Sequence, residues 1–200
     1  LRATGRPIVY SICQYGREKV HEWGPLAGGN LWRTTFDIRD TWDSMAGIGF
    51  AQSDLAKYAK PGHWNDPDML EVGNGGLNED ESRTHMTLWS MIAAPLIAGN
   101  DIRNMTAATK SVLLNREVIA INQDRAGKGG YRVAQNGQTE VWLKPLAGNK
   151  AWAVALFNRG NAPARMSAGA KEWGFAGKVK ARDVWAAKDL GKVAELTATV

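Results

Sequence analysis

The stretch Asn30-Leu31-Trp32-Arg33-Thr34-Thr35-Phe36-Asp37-Ile38 sets a guanidinium and a carboxylate four positions apart inside an apolar frame. Leu31, Trp32, Phe36 and Ile38 should drive the segment into a core, so Arg33 and Asp37 are expected to leave water together. A buried charge needs a partner or a task. In an extended strand, period-two alternation puts Arg33, Thr35 and Asp37 on one side. At the C-terminal end of a barrel strand, such a carboxylate faces an active-site mouth. Elsewhere the same pair is an ion pair stapling a loop.

A second cluster of chemistry-bearing side chains is Trp64-Asn65-Asp66-Pro67-Asp68-Met69-Leu70, flanked by His63 and Glu71. Its carboxylates could hold a metal ion. Asn-Asp-Pro-Asp is also turn chemistry, in which side chains cap nearby backbone amides, and that is the reading taken for Asp66. His21, His63 and His85 are scattered without ligand spacing and are expected on the surface or in loops. The single cysteine, Cys13, excludes an internal disulfide and a Cys-rich metal site; taken alone it reads as a buried structural thiol.

The elements that would position these residues follow from the pattern along the chain. Ile8 to Cys13 is a short β-branched apolar run, expected as a parallel strand over Ile8–Ile12 buried on both faces. Trp32–Thr35 is the next strand. Asp40 to Ala59 has near-helical apolar spacing with Asp40 as a candidate N-cap. Trp64–Leu70 reads as a strand, and Asn78 with Glu81 forms a capping-box variant opening a helix that runs to Pro95. Leu96–Ala98 is a fourth strand. Helices follow from Thr106 and from Asn115. Strand, loop and helix therefore alternate, which predicts parallel βα units. After Asp124 the pattern becomes short alternating runs separated by Asn136-Gly137, Gly148-Asn149 and Asn158-Arg159-Gly160, the signals of antiparallel hairpins. Two domains are expected: residues 1–126 as the α/β part and 127–200 as an antiparallel β domain.

Composition bounds the rest. The 200 residues carry a net charge of +5 and a pI near 9.4, but lysines and arginines are spread singly. With no basic run or basic helix face, nucleic acid is not an expected partner. Lys171, Lys178, Lys180, Arg182, Lys188 and Lys192 read as a solvated face. There is no apolar run long enough for a transmembrane helix. The first residues hold no signal-peptide core and no starting Met, so the chain reads as a piece of a longer polypeptide. Asn104-Met105-Thr106 fits a glycosylation acceptor, which matters only in a eukaryotic secretory context.

Five ordered segments carry a resemblance. Tyr10-Ser11-Ile12-Cys13-Gln14-Tyr15-Gly16, Trp32 to Ile38, Trp64 to Leu70, Ala94-Pro95-Leu96-Ile97-Ala98-Gly99-Asn100-Asp101 and Val118-Ile119-Ala120-Ile121-Asn122-Gln123-Asp124 together resemble glycoside hydrolase family 27. This family comprises the retaining α-galactosidases and α-N-acetylgalactosaminidases. The resemblance implies the second half of a (β/α)8 TIM barrel followed by an antiparallel β-sandwich. It implies Asp37 as the catalytic acid/base, with the nucleophile on a strand upstream of Leu1. Burial among Trp32 and Phe36 is expected to favour the protonated acid, against the pull of Arg33. Arg33 would contact the sugar's 2-hydroxyl, while Cys13 and Tyr15 would line that position, the bulk of Tyr15 favouring galactose. Gln14 stands where many members have Glu. Asp68 would support the site and Met69 would pack beside the sugar. The implied partner is an α-galactoside oligosaccharide or glycoconjugate, with no metal and no organic cofactor. A secreted or periplasmic location is expected, and the oligomeric state is left open. The alternatives are α-N-acetylgalactosaminidase, β-L-arabinopyranosidase, or a non-catalytic carbohydrate-binding module on the same scaffold.

Overall fold

The computed structural model describes residues 1–148 and 151–200, with the backbone alone for Arg2, Lys171 and Glu172. Its first part is a parallel sheet with helices packed behind it. Strand β1 (Ser11–Ile12) leads through a short helix α1 (Val20–Trp23) to β2 (Leu31–Arg33). Helix α2 (Trp42–Phe50) and a 3₁₀ segment over Ala51–Tyr58 lead to β3 (Trp64–Asp66). Helix α3 (Glu79–Met91) follows, then α4 (Ala107–Leu113) and α5 (Arg116–Asn122). The strands lie in the order β1-β2-β3, with Ile12 beside Trp32 and Arg33 beside Asp66. The expected fourth strand over Leu96–Ala98 does not form: among the described residues the sheet has three strands, and only an isolated parallel bridge joins Ala98 to Leu70 beyond β3. All the strand ends that follow point the same way, which is what a parallel sheet does for a site.

Several expected elements are shorter than their sequence pattern. Of Ile8–Ile12 only the last two residues join the ladder. Ile8, Val9 and Tyr10 are exposed and precede β1, which among the described residues pairs with β2 alone. Trp64–Leu70 stops being a strand at Pro67, which has no N–H to give, and at Asp68, whose φ is 87°. Asp40 is not the N-cap of α2. Thr41 is, accepting from the Ser44 amide, while Asp40 accepts the Gly76 amide at 2.6 Å. The helix expected to continue to Ala59 tightens to 3₁₀ after Phe50. Gly49 lets α2 approach α3, since a Cβ there would meet Leu88 and Trp89 at 2.6 and 2.7 Å. The capping box at Asn78 and Glu81 and the caps at Thr106 and Asn115 form as the sequence predicts.

The second part is antiparallel. Strands β4 (Tyr131–Asn136), β5 (Thr139–Leu146) and β6 (Ala151–Asn158) form one sheet, with Asn136-Gly137 at its first hairpin. The Gly148-Asn149 separator falls partly outside the described residues. Strand β7 (Arg165–Gly169) pairs with β10 (Glu195–Thr199), and β8 (Val179–Asp183) with β9 (Lys188–Val193). Strands β7 and β9 are not signalled by the sequence. β7 buries only Met166 and Ala168, and β9 is polar and exposed.

The central strand β5 is buried on both faces. Val141 and Leu143 pack with Met166, Ala168 and Trp173 inside the sandwich. Trp142 points the other way, into the main core with Met45, Phe50, Met86, Trp89 and Phe157. Phe50, Trp142 and Phe157 meet edge-to-face at 5.2 to 6.2 Å, so an aromatic triad joins the two parts. Each such ring, once buried, contributes about 1.5–3 kcal/mol. Lys144 is fully buried at the same junction and donates to the Ser90 carbonyl at 2.8 Å, near the end of α3.

Candidate active site

The ends of β1, β2 and β3 converge on Arg33, the last residue of the central strand. Its Nη2 lies 2.6 Å from Asp68 Oδ2, 3.1 Å from Asp37 Oδ1 and 3.3 Å from the Thr35 carbonyl. The Arg33 side chain is only 11% exposed and that of Asp68 16%, so the shorter pair is shielded from water. Asp68 is held on every side. Its carboxylate accepts the amides of Ile38 and Met69 at 3.0 and 2.8 Å, its own amide donates to Asp66, and its carbonyl accepts Trp89 Nε1 at 2.8 Å. This explains its left-handed backbone: four bonds over-determine a conformation that costs about 1–3 kcal/mol. Burial pushes the Asp66 carboxyl up, against the Asp68 amide and Arg33, which favour its charge.

The loop after β1 is strained in the same sense. Tyr15, Gly16, Glu18 and Lys19 all have φ between 50° and 74°. Gly16 is pinned by its amide to the Arg33 carbonyl at 2.9 Å. That contact sets the Tyr15 ring under Arg33, whose guanidinium carbon is 5.4 Å from the ring centroid, and beside Phe36. Hydrogen bonding to the Cys13 side chain, and then the charge of Asp37, hold the Tyr15 phenol above its usual range; Arg33 opposes them.

Cys13, Tyr15, Arg33, Asp37, Asp68 and Met69 thus belong to neighbouring strand ends. Two expectations about them are corrected. Asp37 does not leave water with Arg33: its side chain is 72% exposed, and Phe36 beside it is also exposed. The strand ends at Arg33, so Asp37 stands on the outgoing loop and not in the alternation, and the burial expected around it is absent. Cys13 is exposed, not a buried structural thiol. Met69 packs from the side against the main core and closes on Gly99, where a Cβ would meet its sulfur at 2.8 Å.

The histidines also divide. His85 is fully buried on α3, edge-on to Trp89 at 4.1 Å, and its Nε2 accepts the Glu71 amide. Burial pushes its imidazole down to about 3. The surface expectation fails here because His85 lies one helical turn before Trp89 on the inner face, a spacing visible in the sequence. His63 lies 3.0 Å from the Gly29 carbonyl, Glu71 pairs with Asn74, and Asp66 with the Asp68 amide. Among the described residues no three His, Cys, Asp or Glu side chains gather as a cation cage. Sequence reasoning missed Gln52, whose Oε1 accepts from Thr34 at 2.9 Å behind Arg33, and the role of Trp89 under Asp68.

The model of the family described as "Alpha galactosidase A" matches residues 1–124, and that described as "Alpha galactosidase C-terminal beta sandwich domain" matches residues 136–200. The chain belongs to the alpha-galactosidase A family. It is 46% identical over 198 residues to alpha-galactosidase 3 of Arabidopsis thaliana, covering 95% of this chain and 44% of that protein. The solved alpha-galactosidase I of Mortierella vinacea superposes with a TM-score of 0.93 at 33% identity, over 100% of this chain and 57% of that one. The β-L-arabinopyranosidase of Geobacillus stearothermophilus superposes with a TM-score of 0.88, also at 33% identity, over 98% of this chain and 48% of that one. The chain spans about half the length of the curated relatives it matches. The family assignment agrees with the expected fold, part of a (β/α)8 barrel joined to an antiparallel β-sandwich.

Proposed function

We propose that the polypeptide containing this chain is a retaining glycoside hydrolase that removes terminal α-D-galactosyl residues from oligosaccharides or glycoconjugates, with Asp37 as its acid/base. The observation that carries the reading is the convergence on Arg33 of a fixed carboxylate, Asp68, and a reachable one, Asp37. Asp68 is fully engaged by amides and by Arg33, which suits a positioning role. Asp37 has a single cationic contact and faces solvent, where a leaving oxygen could reach it. Retention needs two carboxylates about 5–5.5 Å apart, one of them a nucleophile. That second carboxylate would come from the portion of the polypeptide that the relatives have and this chain does not span. Arg33, Cys13, Tyr15, Asp68 and Met69 would then line the sugar.

In the double displacement, the nucleophile would attack the anomeric carbon while Asp37 gives its proton to the departing glycosidic oxygen. Asp37 would next take a proton from water as that water releases the sugar. The 33% identity to the β-L-arabinopyranosidase, the same as to the Mortierella α-galactosidase, keeps that activity as the second reading, since that sugar presents the same ring hydroxyls without the hydroxymethyl arm. Turnover of nitrophenyl α-galactoside, its N-acetyl analogue and nitrophenyl β-L-arabinopyranoside by the full-length polypeptide separates the choices. Preference for the first supports the reading. Preference for either other substrate, or no hydrolysis of any, overturns it.

A further inference from the structure

Phe36 immediately precedes Asp37, and 62% of it is exposed. Leaving a phenylalanine in water forgoes its hydrophobic burial, yet this ring is held in a defined place. It stacks on Tyr15 with centroids 5.6 Å apart and planes within 17°. The Arg17 guanidinium lies 5.3 Å from the Phe36 centroid, and Arg33 lies over Tyr15. Arg33, Tyr15, Phe36 and Arg17 therefore form one column that runs from the shielded ion pair out to solvent. Among the described residues Arg17 has no carboxylate within 4 Å.

We propose that Phe36 and Arg17 form the subsite for the leaving-group sugar. The proposal rests on the reading of Asp37 as proton donor. A general acid must stand within hydrogen-bond reach of the oxygen it protonates. Whatever carries that oxygen therefore lies beside Asp37, and the exposed surface next to Asp37 in the chain is Phe36. A pyranose has C–H groups on its faces and hydroxyls around its rim. The aromatic ring would take a face, and the free guanidinium, a fork of N–H donors, would take rim oxygens. Such a platform selects substrates whose leaving group is itself a sugar ring.

The test uses the full-length polypeptide with melibiose, whose leaving group is glucose, and α-galactosyl fluoride, whose leaving group is too small to fill the subsite. The quantity read is the ratio of kcat/KM on melibiose to kcat/KM on the fluoride. Phe36→Ala should lower that ratio about three- to tenfold, chiefly through KM, the worth of one aromatic contact. Phe36→Tyr should restore it, and Arg17→Gln should lower it. An unchanged ratio in Phe36→Ala, or an equal fall on both substrates, overturns the subsite. A fall in thermal stability together with equal losses would mean that Phe36 packs against the rest of the polypeptide. If wild type hydrolyses neither substrate, the galactosidase reading fails and the subsite with it; if wild type is active, only the subsite is at stake.

Discussion

Gly16→Ala should cripple the site without touching any residue that meets the substrate. A Cβ on Gly16 would stand 2.1 Å from the Thr34 carbonyl oxygen and 2.8 Å from its carbon, where ordinary contact begins at 3.4 Å. Both atoms belong to the backbone leaving β2, so neither can rotate away. Relief needs a shift of the loop by about 1.3 Å, the difference between 3.4 and 2.1 Å. That shift would break the 2.9 Å bond from the Gly16 amide to Arg33, worth about 1 kcal/mol. An alanine at φ 74° adds a further cost, about 1–2 kcal/mol. The loss of stability should therefore be roughly 2–3 kcal/mol. Tyr15 would move with the loop, away from Arg33 and Phe36. A misplacement near 1 Å costs about 10²-fold in rate. Circular dichroism melting and kcat/KM of the full-length variant on an aryl α-galactoside provide the assay. A variant with wild-type activity and melting temperature would refute the argument that this loop is pinned by Gly16 and sets the site.

The 200-residue chain expressed alone should aggregate, since β1 has an open edge and Ile8, Val9, Leu26 and Ile97 are exposed; a monodisperse monomer with one sharp thermal transition by light scattering and calorimetry would contradict this. Burial pushes the Lys144 ammonium from 10.5 down to about 8, against the charge of Asp124. The folded state thus sheds this proton before the unfolded state does, so stability is gained as pH rises from about 8 to 10.5 and lost as pH falls from 10.5 back to about 8. The full window is worth on the order of 3 kcal/mol. Lys144→Met in the full-length polypeptide should lose this increment, its melting temperature falling relative to wild type between pH 7 and pH 10; parallel curves for the two proteins would refute it.

The readable parts of the sequence were those where local chemistry and global fold agree. Asn78 with Glu81, Thr106 and Asn115 announce helix starts because the capping oxygen lies within a few residues of the amide it serves. Asn136-Gly137 announces a hairpin for the same local reason. The strand-end residues are gathered into one candidate site by the family resemblance, and parallel strands, which place their C-terminal ends together, accommodate that grouping. The unreadable parts depend on distant partners. Period-two alternation put Asp37 inside with Arg33, but the ladder stops at Arg33 and Asp68 supplies the closer carboxylate from thirty-five positions away. Asp40 looked like a cap until Gly76 claimed its oxygen from another loop. Lys144 is charged and lies in an alternating strand, yet it is buried because both faces of β5 are covered, which no local signal announces.

The most direct test of Asp37 as acid/base is Asp37→Asn in the full-length polypeptide, assayed on an aryl α-galactoside with and without azide. Loss of the proton donor should cost at least about 10²–10⁴-fold on an oligosaccharide, where the leaving oxygen needs protonation. An activated aryl group departs with less help, so the sugar–enzyme intermediate should form and then accumulate for want of a base to activate water. Azide needs no base, so it should restore turnover and yield galactosyl azide with the α configuration retained, read by NMR. A β azide, or an Asp37→Asn variant as active as wild type on an oligosaccharide, would remove Asp37 from the acid/base role.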